Sequence, residues 1–78
     1  MTALNETQQK ILAMVVEGRT NRQIAEALHY SIINVKYHLS KIYKAYRISR
    51  KEPQNRRALL IKEVTKIELS KYMWNQSE

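Results

Sequence analysis

The sequence predicts an all-α fold of four helices, and its composition gives two reasons. One Gly and one Pro occur in 78 residues, so few positions interrupt a helix. The frequent residues include Ala, Leu, Lys, Gln and Glu, which favour helix over sheet. The length is about half that of a typical domain, so we expect residues 1–78 to form a single domain with a small core.

A capping residue precedes each of the first three predicted helices. Its side-chain oxygen accepts a hydrogen bond from a backbone N–H of the first turn. At the first two helices, a Gln three residues later completes a capping box. The capping residues are Asn5 with Gln8, Thr20 with Gln23, and Ser31. Apolar residues recur at helical spacing behind each of them, and the helices are predicted over about residues 6–17, 21–28 and 32–46.

The third and fourth helices are separated by the single proline of the chain. The inward face of the third helix is predicted to carry Val35, Leu39, Ile42 and Tyr46, which recur at helical spacing. Pro53 marks a break after this helix, because a proline fits a helix only in its first turn. The fourth helix is predicted over about residues 54–66, or up to two turns further.

The positive charge of the chain is concentrated in one segment. Lys and Arg number 14 and acidic residues 7, which gives a net charge of +7. Eight of the basic residues lie between Lys36 and Arg57, where Glu52 is the only acidic residue, and the remainder of the chain is neutral. This segregation predicts a polyanionic partner, either nucleic acid or an anionic membrane surface.

Several classes of function are not expected for this sequence. There is no Cys, and His29 and His38 have no Asp or Cys to join them in a metal site or a catalytic triad. The longest apolar run has four residues, far fewer than the roughly 20 that span a bilayer. A helix lying on lipid would need a free apolar face, which the core requires here. We therefore expect a cytoplasmic, non-enzymatic protein without a cofactor and without a membrane partner.

The second and third helices, joined by a short turn at His29 and Tyr30, have the layout of a helix-turn-helix. In that motif the second helix enters the major groove of double-stranded DNA. When the apolar stripe of the third helix faces inward, its opposite face carries Ile33, Asn34, Tyr37, Ser40, Lys41 and Lys44. Apolar groups on this face can contact thymine methyls and polar groups can contact base edges or phosphates, or the face can bind a partner protein.

Three segments of the chain resemble the LuxR/GerE-type helix-turn-helix of bacterial transcription regulators. They are residues 4–18 (LNETQQKILAMVVEG), 20–28 (TNRQIAEAL) and 31–48 (SIINVKYHLSKIYKAYRI). The family's characteristic positions are occupied by Asn21, Ile24, Ala25, Leu28, Ser31, Val35, Lys36, His38, Leu39 and Ile42. The resemblance implies a DNA-dependent regulator of transcription, and the chain resembles the stand-alone kind without a sensory domain.

The resemblance also implies roles for individual residues. Lys36, Tyr37 and Ser40 lie where family members touch bases, and the outward-facing Ile33 is expected to join them. Phosphate contacts are implied for Thr20, Asn21, Asn34, Lys41 and Lys44. His38 matches the family's histidine. Two roles are compatible with this position, packing within the fold and contact with a DNA phosphate.

This sequence departs from the family's pattern at two places. Ile32, Ile33 and Asn34 stand where relatives carry an acidic residue, a small residue and Thr, so the target site cannot be inferred from relatives. Arg47 replaces the family's glycine after the third helix, so we expect this helix to run on or to turn differently.

The fourth helix is the expected interface of a homodimer on DNA. The apolar residues assigned to this interface are Leu59, Val64, Ile67 and Tyr72. Two alternatives to a LuxR-type regulator stay open. One is a promoter reader like region four of a sigma factor, and the other is an interaction module that binds another regulator or RNA polymerase.

Overall fold

The computed structural model of the chain has four α-helices in the residues that it describes. It describes residues 4–49 and 55–76, with side chains in the last helix as far as Leu69. The helices are α1 (Glu6–Val16), α2 (Asn21–Leu28), α3 (Ile32–Ala45) and α4 (Arg56–Gln76). No strand occurs in these ranges, and the predicted all-α class is confirmed. The predicted break at Pro53 lies outside the described residues.

The three predicted N-caps are formed. The Asn5 side chain accepts a hydrogen bond from the Gln8 N–H at 2.8 Å, and the Gln8 side chain accepts one from the Asn5 N–H at 3.1 Å. Thr20 and Gln23 form the same reciprocal pair at the start of α2. The Ser31 hydroxyl accepts a bond from the N–H three residues later. Each cap stabilises its helix by about 1 kcal/mol, because it satisfies a backbone donor of the first turn.

The first three helices also end alike, each with one residue in the left-handed conformation. These residues are Gly18 (φ +91°), His29 (φ +58°) and Arg47 (φ +58°). After α3, the Arg47 N–H donates to the Lys44 carbonyl at 3.0 Å and the Ile48 N–H donates to the Tyr43 carbonyl at 2.9 Å. This pair of bonds is the Schellman motif, which closes the last turn. The expectation that α3 ends differently for lack of a glycine is therefore wrong, because the two bonds hold Arg47 in the left-handed conformation.

Replacing Arg47 with Gly is expected to stabilise the protein by about 0.5–1 kcal/mol. A side chain in the left-handed region costs about 1–2 kcal/mol, part of which is offset by the greater freedom of glycine in the unfolded chain. Urea unfolding followed by circular dichroism measures the change. Arg47→Ala is the control, since it removes the charge and keeps the Cβ. An equal gain in both variants would assign the effect to reduced charge repulsion instead.

The core lies among the first three helices and, among the described side chains of α4, receives one that is fully buried. α3 packs against both α1 and α2, and α4 packs against α1. The buried residues are Ile11 and Val15 of α1, Ile24 and Ala25 of α2, Val35, Leu39, Ile42 and Tyr43 of α3, and Leu60 of α4. Tyr46 faces inward as predicted and is half-buried against the core at the end of α3, and Tyr43, which was not predicted on this face, is buried as well.

α4 ends at Gln76. It is longer than the shorter of the two predictions, which ended at about residue 66. Leu60 is fully buried, and Ile61 and Val64 are half-buried and pack against the core. Further along, Ile67 is 42% exposed and Leu69 is 56% exposed. The core therefore holds the N-terminal part of α4, while the described side chains from residue 65 onward are exposed.

Candidate nucleic-acid interface

The core fixes the orientation of the helix pair α2 and α3. The two helices are separated by residues 29–31, and the Tyr30 N–H donates to the Ala25 carbonyl at 2.9 Å. Buried side chains on both helices, including Ile24 and Leu39, lock them together. This arrangement is a helix-turn-helix, and it leaves the opposite face of α3 directed outward.

The outward face of α3 carries two large apolar side chains. Ile33 is 78% exposed and Tyr37 is 57% exposed. Asn34, Lys41 and Lys44, also predicted on this face, are exposed as well. Exposed apolar side chains that lie together indicate a binding surface, because they remain in contact with water until a partner covers them.

Tyr37 is held against its own helix by two neighbours. Its ring meets the His38 ring edge-on with centroids 5.4 Å apart, and the Lys41 Nζ lies 5.4 Å from its centroid. The Tyr37 hydroxyl has no hydrogen-bond partner among the described residues. The side chain therefore offers an unpaired donor and acceptor on a ring whose position is partly fixed.

Ser40 is less available than the sequence predicted. It is half-buried, and its hydroxyl donates to the Tyr37 carbonyl at 2.7 Å. While this bond is kept, the oxygen can accept a hydrogen bond from a base amino group but has no proton to donate to a phosphate. The surface of α3 that is available to a partner is therefore narrower at Ser40 than the helical repeat alone predicts.

The start of α2 is joined to the start of α4 by Arg57. Its Nη1 donates to the Asn21 Oδ1 at 2.8 Å, and its Nη2 donates to the Arg19 carbonyl. The Asn21 amide NH₂ remains as a donor, while the Thr20 hydroxyl is engaged with the backbone as the N-cap. Sequence reasoning missed Arg57, because no local pattern signals a contact between residues 36 positions apart.

A groove runs along one flank of α3, between that helix and the start of α4. It has a volume of about 450 Å³ and is lined by Asn21, Lys36, Leu39, Ser40, Tyr43, Arg56 and Arg57. An adjoining cleft of about 290 Å³ shares Ser40, Tyr43 and Arg56 and reaches Lys41 and Lys44. We call the larger of the two the α3–α4 groove. It brings the predicted Lys36 and Asn21 next to two arginines that the sequence reading had not assigned to the site.

The cations of α3 and of the start of α4 are not neutralised within the described part of the chain. The ion pairs found there join Lys10 to Glu6, Arg19 to Glu17, and Arg22 to Glu26. All three lie on α1, on α2 or in the turn between them. The positive potential around α3 is therefore uncompensated by nearby carboxylates of the described residues, as suits a polyanionic partner.

His38 lies on the side of α3 that faces α1. It is half-buried, its Nδ1 is 3.5 Å from the Gln8 amide nitrogen, and its ring stacks on Tyr30 with centroids 6.2 Å apart. Among the residues described, no three metal-binding side chains are grouped closely enough to hold an ion. No described helix combines the length and the apolarity required to cross a membrane.

Comparison with known proteins places this helix-turn-helix in a family. The family model described as bacterial regulatory proteins, luxR family, matches residues 2–51, which include α1, α2 and α3. No curated protein and no solved structure matches the chain. The family match covers more than half of the sequence and includes both helices of the helix-turn-helix. The chain therefore belongs to the luxR family of bacterial regulatory proteins, a family of DNA-binding regulators of transcription.

Proposed function

We propose that the chain binds specific sites on double-stranded DNA by inserting α3 into the major groove, and that it regulates transcription from those sites. The observation that carries this proposal is the exposed pair Ile33 and Tyr37 beside the unpaired cations of α3. A helix in the major groove needs side chains for base edges along its centre and cations for the phosphates on either side. Such a partner accounts for the apolar and the basic surface together, and a DNA target implies a cytoplasmic location.

The proposal assigns one set of residues to the bases and another to the phosphates. Base contacts are assigned to Ile33, Lys36, Tyr37 and, as an acceptor, Ser40. Phosphate contacts are assigned to Thr20, Asn21, Asn34, Lys41 and Lys44. Asn21 suits its role because Arg57 occupies its oxygen and leaves the amide NH₂ to donate. Thr20 suits its role through its hydroxyl, which accepts from the Gln23 N–H and keeps its own proton to donate to a phosphate, whereas the Thr20 backbone N–H is bound to the Gln23 side chain.

A salt titration with a duplex of random sequence tests DNA binding. The logarithm of the affinity is expected to fall linearly with the logarithm of salt concentration, because each neutralised phosphate releases counterions. Lys41→Ala is expected to lower the slope by about one per bound protomer. Lys10→Ala is the matched control, since Lys10 is an exposed lysine of α1 paired with Glu6. A wild-type protein whose binding is independent of salt would contradict the proposal.

We further propose that two protomers occupy one site through the exposed face of α4. A single helix-turn-helix makes few base contacts, and a two-fold axis doubles them. Ile67 is exposed, Leu59 and Val64 are half-buried, and the Tyr72 side chain lies outside the described ones. Sedimentation of the protein with a duplex that carries one specific site, selected from genomic DNA, is expected to give two protomers per site. One protomer per site at every concentration would exclude the dimer.

The second candidate function is an interaction module that binds another regulator or RNA polymerase. The 78% exposure of Ile33 favours it, because an apolar side chain so far from the core suits a protein surface. The unpaired cations beside Ile33 do not require such a partner, whereas a DNA duplex requires both features. The resemblance to region four of sigma factors rests on α2 and the start of α3 and does not extend to α1.

A further inference from the structure

We propose that the α3–α4 groove binds a phosphate group of the DNA backbone, and that Arg56 is the residue that holds it. This inference rests on the proposed function, because it extends the DNA-binding surface from α2 and α3 to the start of α4. No phosphate contact in α4 follows from the sequence or from the family match, which ends at residue 51.

The Arg56 side chain is held in place by an aromatic ring but lacks hydrogen-bond partners among the described residues. Its guanidinium carbon lies 4.5 Å from the centroid of the Tyr43 ring, and its Nε is buried without a hydrogen-bond partner among the described residues. A guanidinium stacked on a buried ring has lost much of its rotamer freedom, so little more is lost when it binds a ligand. The two terminal nitrogens of Arg56 also have no hydrogen-bond partner among the described residues, and a phosphate oxygen is a strong acceptor for such a fork.

The two neighbouring arginines have different roles. Arg57 directs both of its terminal nitrogens to α2 and the turn before it, so it fixes the start of α4 beside Asn21. Arg56 makes no such bonds and lines the groove together with Lys36. No carboxylate lines the groove among the described residues. The groove is therefore lined by cationic side chains without a neighbouring carboxylate, as suits an anion.

The position of the groove on α3 favours the DNA backbone as the source of this phosphate. Lys36 and Ser40 are four residues apart and form a strip along the flank of α3. The adjacent strip carries Ile33 and Tyr37 at the centre of the base-reading face, so Lys36 and Ser40 lie at the edge of that face, between the bases and the groove. The major groove is about 12 Å wide, so the flank of an inserted helix lies next to a phosphate backbone.

The test compares Arg56→Gln with Lys62→Gln in the full chain. Lys62 is an exposed residue of α4 outside the groove, so the two changes remove the same charge. Arg56→Gln is expected to lower the slope of log affinity against log salt by about one per bound protomer, and Lys62→Gln to leave it unchanged. Arg56→Lys keeps the charge but not the planar guanidinium fork stacked on Tyr43, so it is expected to restore only part of the slope. Circular dichroism confirms that each variant is folded.

A second measurement keeps the inference testable if Arg56→Gln unfolds. Phosphate-ethylation interference with the wild-type protein and with Arg56→Lys maps the contacted phosphates one by one. The wild type is expected to show a contact that is weakened in Arg56→Lys, while the contacts of Lys41 remain. Identical interference patterns would overturn the assignment to Arg56.

The remaining outcomes separate this inference from the proposed function and from other phosphate sources. If Arg56→Gln keeps the wild-type slope while Lys41→Ala lowers it, the groove assignment fails and DNA binding by α3 stands. If the wild type shows no salt dependence, the proposed function fails. Inorganic phosphate and ATP, titrated against the free protein, are expected to bind weakly. Saturable binding of ATP that requires Arg56, with an unchanged DNA slope, would assign the groove to a free nucleotide instead.

Discussion

Replacing Leu60 with Ala is expected to lower the free energy of unfolding by about 2–5 kcal/mol, the range for truncating a buried leucine. Leu60 is the one side chain of α4 that the described structure buries completely. A domain of this size buries only about 60% of its unfolded surface and has little stability in reserve. Truncation should therefore bring the protein close to unfolding at room temperature.

Urea unfolding at low protein concentration measures this effect without a contribution from self-association. Ile67→Ala is the matched control, because it truncates an apolar residue of the same helix that is 42% exposed. It is expected to cost under about 1 kcal/mol. Equal losses in the two variants would mean that the core does not hold α4 through Leu60.

The effect of Leu60→Ala should also reach the DNA-binding surface. α4 begins with Arg56 and Arg57, and Arg57 connects it to Asn21 at the start of α2. A helix that is no longer anchored by Leu60 cannot keep these contacts in place. Stability of the core and the geometry of the α3–α4 groove are thus linked through the first turns of α4.

The elements that the sequence predicts well are those that depend on neighbouring residues. The capping boxes at Asn5 and Thr20 involve atoms three residues apart, and both are present in the structure. The apolar stripe of α3 depends only on the helical repeat, and Val35, Leu39 and Ile42 are buried as expected. These features need no knowledge of how the helices pack.

The features that the sequence did not predict depend on packing angles or on side-chain rotamers. Tyr43 lies at the edge of the predicted apolar stripe of α3, and its burial, with Arg56 of α4 stacked on its ring, depends on how α4 packs rather than on the helical repeat. The rotamer of Ser40 places its hydroxyl on a carbonyl of its own helix rather than outward. The contact between Arg57 and Asn21 joins residues 36 positions apart and exists only once the start of α4 lies next to the start of α2.

Replacing Tyr37 with Ala is expected to abolish much of the preference for a specific DNA site while hardly changing the binding of random sequence. The ring is 57% exposed on the outward face of α3, and its hydroxyl is unpaired among the described residues. A side chain in the major groove that contacts a base edge contributes roughly 1–3 kcal/mol of discrimination. The specific site is first obtained by selecting bound fragments from genomic DNA.

Competition binding between the selected site and a random duplex measures the discrimination. Lys41→Ala is the control, because the loss of a phosphate contact weakens both complexes about equally and leaves their ratio unchanged. Tyr37→Phe separates the hydroxyl from the ring, since it keeps the edge-on contact with His38. Tyr37→Ala can instead keep full discrimination between the two duplexes and disrupt a complex with another protein. The Tyr37 ring would then contact a protein partner and no base, and the outward face of α3 would be a protein-binding surface.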